Sequence, residues 1–221
     1  MTRAPGRARR PQVHRGVELH CGEQFEKEAH AAGHSIVAGV DEVGRGALCG
    51  PVVAAAVILG DGFDIDGLDD SKRLTIRQRE RLATRVRADA RGWATGSADP
   101  REIDRLNILQ ASLLAMRRAV EGLPLIPEAL LVDACTIPGL DLPQRSIVKG
   151  DALSVSIAAA SIVAKVERDA LMRKLDQEHP GYGLAHNMGY GSEDHRDALR
   201  RRGPSSIHRR SFQGTQRWLF A

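Results

Sequence analysis

The sequence predicts an α/β domain, a sheet with helices packed on it, and three observations point there. Apolar runs of strand length fill the first half of the ordered region, each closed by Gly or Asp. From Thr75 onward, capped helical patterns alternate with further strands. Neither an internal repeat nor an interdomain linker interrupts the 221 residues, a length that suits one well-packed domain.

The elements follow in order. Arg3, Arg7, Arg9, Arg10 and Arg15 crowd an opening stretch poor in core formers, so residues 1–33 read as a flexible basic N-terminal arm and residues 34–221 as the folded domain. Ser35 to Val40 reads as a buried strand ending at Asp41, followed by a glycine-rich turn. Pro51 to Leu59 is the second strand, Gly92 to Ala98 the third, and Ala129 to Val132 a fourth running into Asp133. Thr75 and Gln78 make a capping box for a helix reaching about Arg91. Asp99 and Pro100 open another, along which Ile103, Leu106, Leu109, Leu113 and Met116 recur at helical spacing. A long small-residue helix spans Ser154 to about Glu178, stopped by His179-Pro180-Gly181, and a shorter one runs from Ser192 to Arg202.

Composition narrows the function classes. No apolar run approaches membrane-spanning length, and no apolar segment backs the basic start as a secretory signal would, so a cytoplasmic address is expected. Cys21, Cys49 and Cys135 are odd in number and widely spaced, which fits neither a disulfide framework nor a zinc knuckle. The net charge of +4 is modest. Its arginines nevertheless cluster at the N-terminus and again from Arg196 to Arg217, as a polyanionic partner would favour.

The acidic residues say most. Asp41 and Glu42 sit where an apolar strand meets Gly44-Arg45-Gly46. Neighbouring strand side chains point to opposite faces, so both can reach one ion only if the strand ends or bends there, and the glycines favour a bend. Asp133 closes a second apolar strand, and Asp151 follows Lys149-Gly150 before the long helix. Taken singly, Asp133 or Asp151 is an ordinary turn former or helix cap. Together the four would repel, since two charges 4 Å apart cost about 4 kcal/mol at an effective dielectric near 20. Divalent cations relieve that repulsion, and all-oxygen ligands suit Mg²⁺ or Mn²⁺.

With these residues quoted, the chain resembles the ribonuclease HII family. The likeness rests on Val37-Ala-Gly-Val-Asp41-Glu42-Val-Gly-Arg-Gly46, Asp70-Ser71-Lys72, Leu131-Val-Asp133 and Val148-Lys149-Gly150-Asp151. It continues through Ala159 to Asp169, Gly189-Tyr190 and His208-Arg209-Arg-Ser-Phe212. The resemblance implies a ribonuclease H-like fold: a mixed central sheet flanked by helices, with a small C-terminal helical portion. It also implies a monomer that cuts RNA–DNA hybrids, or duplex DNA with embedded ribonucleotides, on the 5′ side of a ribonucleotide, leaving a 3′-hydroxyl and a 5′-phosphate.

Carried over by position, the resemblance makes Asp41, Glu42, Asp133 and Asp151 the catalytic carboxylates holding Mn²⁺ or Mg²⁺. Asp169 is the rival for the fourth place, but Lys165 and Arg173, each four residues away, explain it as a helix ion pair. Gly44, Arg45 and Gly46 are candidates for sensing the 2′-hydroxyl, which distinguishes RNA from DNA. Tyr190 would stack on the deoxyribose that follows, and Ser71, Lys72 and Lys149 would contact phosphates. Met188 stands where relatives often carry a lysine, and Ala134 where they carry glycine; His208 and Arg209 match the family without an assigned role. The closing Gln216-Arg-Trp-Leu-Phe220 is similar to short peptides that dock on bacterial sliding clamps, unless Trp218 and Phe220 simply cover the last helix.

Three other readings fit less well. Gly44-x-Gly46-x-x-x-Gly50 misses dinucleotide-binding spacing by one residue, and a strand follows instead of a helix. A calcium loop counted from Asp64 has Asp69 where a glycine belongs and Thr75 where a glutamate belongs. A non-catalytic nucleic-acid-binding module would explain the basic arms but not carboxylates at two strand ends, and few aromatics are present to stack single strands.

Overall fold

A computed structural model describes residues 21–60, 62, 63, 68 and 74–215. Strands β1 (Val37–Val43), β2 (Val52–Ile58) and β3 (Gly92–Ala98) form an antiparallel meander. Strands β4 (Ala129–Asp133) and β5 (Gln144–Ile147) add in parallel on the other side of β1, giving the order β3-β2-β1-β4-β5. This is the mixed sheet of a ribonuclease H-like α/β fold.

Helices cover both faces. In β2, Ala54, Ala56 and Ile58 face one core, while Ala55 and Val57 face the other. That two-sided burial is why the strand reads as an unbroken apolar run. The first core is closed by α4 (Ile108–Glu121), whose Ala111, Ala115, Met116 and Ala119 lie against the sheet. The second is closed by α5 (Val155–Glu178) and α2 (Ile76–Asp89). From Val155 to Ala164 every residue of α5 is buried, as expected of a helix threaded through an interior. Its approach to β1 is so close that a Cβ on Gly39 would lie 2.1 Å from the Ser156 carbonyl carbon. Among the described residues, no helix is long and apolar enough to cross a membrane.

Local chemistry explains most boundaries. Thr75 caps α2 with a complete capping box, and Asp99 does the same for α3 (Pro100–Leu106). The sequence pattern suggests one helix from Pro100 through Met116, but the chain breaks at Asn107 (φ 70°). There the Asn107 side chain accepts from Gln110 N at 3.1 Å and caps α4 anew. Two short C-terminal helices, α6 (Leu184–Asn187) and α7 (Glu193–Arg202), pack with Leu48, Cys49 and Met172.

Order also begins earlier than the composition suggests. Helix α1 (Gln24–Ala31) lies within the stretch read as a flexible arm, so the folded part extends N-terminally to at least Cys21. Phe25 and Ala29 cover Val37, Leu131, Ile147 and Ile157. Buried Glu26 accepts from Ser154 Oγ (2.5 Å), Ser156 N (3.0 Å) and Ser156 Oγ (2.6 Å), which ties α1 to the start of α5.

Candidate active site

The sheet register builds the site. Val40 pairs with Val132 on parallel neighbours, so Asp41 and Asp133 occupy the next positions side by side. Two-residue alternation from Val37 and from Leu131, both packed on Ile157, puts these two carboxylates on the α5 face. The strand does not end at Asp41. It continues to Val43, with Glu42 opposite Ala54. Because β4 stops at Asp133, β1 has no parallel neighbour beyond Asp41, and both carboxylates open onto one cleft.

That cleft holds about 430 Å³ and is lined by Asp41, Glu42, Asp133 and Asp151, with Ser161 and Lys165 from α5, Arg79 from α2, and Tyr190. Asp151 arrives through a tight link. Asp133 Oδ1 accepts from Gly150 N at 2.7 Å, and Lys149 takes a left-handed conformation (φ 60°) to make the turn. Lys149 itself is exposed and does not line the cleft; Ser71 and Lys72 lie outside the described residues. Asp169 stays out of the lining as well, its Oδ1 held 2.7 Å from Lys165 Nζ.

Burial holds the Asp41 carboxyl well above the ordinary carboxylate value, and the charges of Glu42 and Asp133 push the same way, against a hydrogen bond from Ser161. Burial also raises Glu42, offset by Arg45, whose Nη1 donates to Glu42 Oε1 at 3.1 Å. Oxygen donors that resist ionisation together are a donor set that a hard divalent cation would satisfy. By donor type, Asp41, Glu42, Asp133 and Asp151 suit Mg²⁺ or Mn²⁺; among the described residues, no three of these carboxylates bring oxygens within 4.8 Å of one another.

Beside the carboxylates, the Gly44-Arg45-Gly46 turn is fixed from below. Gly44 adopts φ +94°, and a Cβ there would lie 2.1 Å from Arg168 Nε. Arg168 is fully buried and donates to three carbonyls: Pro51 (3.0 Å), Met188 (2.8 Å) and Cys49 (3.3 Å). Arg209, equally buried, donates from Nε to Gly50 O (3.0 Å) and from Nη1 to Arg45 O (2.8 Å). These two guanidiniums join the turn to the segment carrying Tyr190, whose ring lies 5.5 Å from Arg168 Cζ and is 37% exposed.

Sequence reasoning left Arg209 and His208 without a role, gave none to Ser161 or Arg168 within the family-like stretch Ala159 to Asp169, and passed over Arg79. A polar Ser161 inside the run Ala158 to Ala164 was a usable signal; nothing local marked Arg79. His208 and His195 are both buried, with Cys49 close by; among the described residues, these three are the ones whose ligating atoms lie within 4.8 Å of one another. Each imidazole nitrogen already has a partner. Ser205 N donates to His208 Nδ1 (3.0 Å), the two Nε2 atoms are 3.1 Å apart, and His195 Nδ1 lies 2.9 Å from Tyr190 O.

Comparison with known proteins places the chain by family and fold. A family model described as Ribonuclease HII matches residues 38–215. A Ribonuclease HII of Desulfitobacterium hafniense is 56% identical over 194 residues, covering 88% of this chain and 75% of its own length. The solved ribonuclease H2 of Pyrococcus horikoshii is similar at 29% identity and TM-score 0.68, covering 82% of this chain and 96% of that one. An RNase HII from Archaeoglobus fulgidus, solved as a complex with PCNA, matches at 26% identity and TM-score 0.68, over 80% of this chain and 95% of that one. On its sequence, its sheet order and the cleft that its carboxylates share, the chain belongs to the ribonuclease HII family.

Proposed function

We propose that the protein is an endonuclease that hydrolyses the phosphodiester on the 5′ side of a ribonucleotide in RNA–DNA hybrids or in duplex DNA, leaving a 3′-hydroxyl and a 5′-phosphate. One observation supports this above the rest: four carboxylates from three chain segments open onto one cleft beside a glycine turn and an exposed tyrosine. Asp41, Glu42, Asp133 and Asp151 would hold Mn²⁺ or Mg²⁺, which would supply an activated water and neutralise charge at the scissile phosphate.

The chain's own groups do the rest. Gly46 is exposed with no Cβ over its backbone, and Gly44 leaves room for Arg168 beneath it, so the turn approaches the sugar closely enough to sense a 2′-hydroxyl. Arg45, half exposed and paired with Glu42, holds that carboxylate in place. Tyr190 stacks on the deoxyribose beyond the ribonucleotide, which selects an RNA-to-DNA junction. Lys165, at the cleft wall, is a cation next to the phosphate path, with Lys149, Ser71 and Lys72 as further phosphate contacts.

The test is a duplex holding one ribonucleotide, incubated with Mn²⁺ or Mg²⁺ and then with chelator. Metal-dependent cleavage with the stated ends supports the reading, and intact substrate throughout would leave a non-catalytic binding module. The archaeal complex with PCNA favours a second, separate reading, clamp docking through Gln216–Phe220, which lie outside the described residues. Removing the last six residues should abolish binding to a sliding clamp while leaving cleavage unchanged.

A further inference from the structure

We infer that the pocket between α3 and the segment after α7 binds backbone phosphates of the substrate duplex several steps from the cut. It encloses about 530 Å³ and is lined by Arg101, Asp104, Arg105, Ser206, His208 and Arg210. All three arginines are exposed, and a guanidinium stays charged at any physiological pH. Among the described residues, no carboxylate stands within ion-pair distance of Arg101, Arg105 or Arg210.

The nearby acids are committed elsewhere. Asp104 accepts from Arg210 N (3.0 Å), Ser211 N (2.9 Å) and Ser211 Oγ (2.6 Å), so its charge pins the pocket wall to α3. Glu102 is held by both Arg118 nitrogens, at 2.8 and 3.0 Å. A concave site with three like charges around it and its one carboxylate engaged by backbone donors is built for a polyanion.

Its place in the fold ties it to the cleft. β3 runs parallel to β1, so Ala98 and the α3 that follows lie at the same end of the sheet as Asp41 and Glu42. His208 in the pocket wall connects through His195 to the Tyr190 carbonyl by bonds of 3.1 and 2.9 Å. A duplex seated with its ribonucleotide in the cleft and continuing past Tyr190 toward the β3 edge would meet this pocket.

This inference rests on the proposed nuclease function, and the experiment separates the two. A triple variant, Arg101→Ala with Arg105→Ala and Arg210→Ala, is compared with the unaltered protein on a long single-ribonucleotide duplex and on a duplex too short to reach the pocket. On the long duplex KM should rise roughly tenfold near 0.1 M salt, and the slope of log KM against log[salt] should fall by about two to three. The ratio of variant to unaltered KM on the short duplex should stay within about twofold, and a triple Lys variant should recover most of the long-duplex loss. An unchanged salt slope, or equal losses on both lengths, overturns the assignment. So does a response of the unaltered protein on the short duplex to millimolar inorganic phosphate that the triple Ala variant lacks, since that marks a free-phosphate site. Failure of the unaltered protein to cut either duplex would count against the nuclease reading instead.

Discussion

His195 and His208 meet through their Nε2 atoms at 3.1 Å, in an interior where neither ring is exposed. Because Ser205 N donates to His208 Nδ1, the proton of neutral His208 sits on Nε2 and is donated to His195, whose own proton on Nδ1 faces the Tyr190 carbonyl. A second proton on either ring would put two donors face to face.

Acid should therefore destabilise the fold through this pair. Burial, then the neighbouring His195, pushes His208 down to about 4, below its unfolded value, and burial lowers His195 too. Between about 6.5 and 4 the unfolded chain binds the extra proton and the folded chain does not, so stability is full above that window and falls as pH drops through it. Chemical denaturation at pH 7 and pH 4.5 should show a loss of up to about 3 kcal/mol attributable to His208. His208→Gln should flatten that pH slope whatever it does to stability at pH 7.

Asp133→Asn should lower the cleavage rate by at least roughly a hundredfold, the scale of losing one charge-stabilising group, while substrate affinity changes by less than about threefold. Single-turnover cleavage beside a binding titration checks this. Equal loss of rate and affinity would count against a catalytic role.

Metal should stabilise the protein through the same carboxylates. Mn²⁺ at a hundred times its dissociation constant is expected to add about 2.7 kcal/mol, seen as a higher melting temperature. Asp41→Asn should remove most of that gain and chelator all of it. A shift that survives in the Asp41 variant would place the metal elsewhere.

Gly44→Ala should be damaging out of proportion to its size. The new Cβ would meet Arg168, which cannot move without abandoning three carbonyls, and the residue must keep φ near +94°. A loss of about 2–4 kcal/mol is expected, from strain and unsatisfied carbonyls together. Thermal melts give the stability, and discrimination between ribonucleotide and all-DNA duplexes should fall alongside it.

Tyr190→Phe should keep junction cleavage within about threefold, whereas Tyr190→Ala should lose about 1–3 kcal/mol of transition-state stabilisation, the worth of one stacked ring. The ratio of kcat/KM values on a single-ribonucleotide duplex measures it.

Much of this was legible in one dimension. The apolar runs of β1, β2 and β4, the caps at Thr75 and Asp99, and the carboxylates at Asp41, Glu42, Asp133 and Asp151 are local features set by neighbours a few residues away. Burial of both sheet faces and the spacing of caps write themselves into short windows of sequence. Where local signals misled, a distant partner had intervened. The polar α1 is ordered because Ser154 and Ser156 satisfy Glu26 across more than a hundred residues. β1 continues past Asp41 and Glu42 because β2 keeps pairing with it after β4 has ended.

What the chain determined by itself was the set of chemical groups and the elements that carry them. Tertiary structure decided which groups share a cleft and what holds them there: Ser161 and Arg79 at its wall, Arg168 and Arg209 beneath the glycine turn, and the arginine pocket beside it. The physical reason is range. A cap or an amphipathic stripe is satisfied within a turn or two of chain, whereas a buried guanidinium finds its carbonyls only after segments more than a hundred residues apart have packed together.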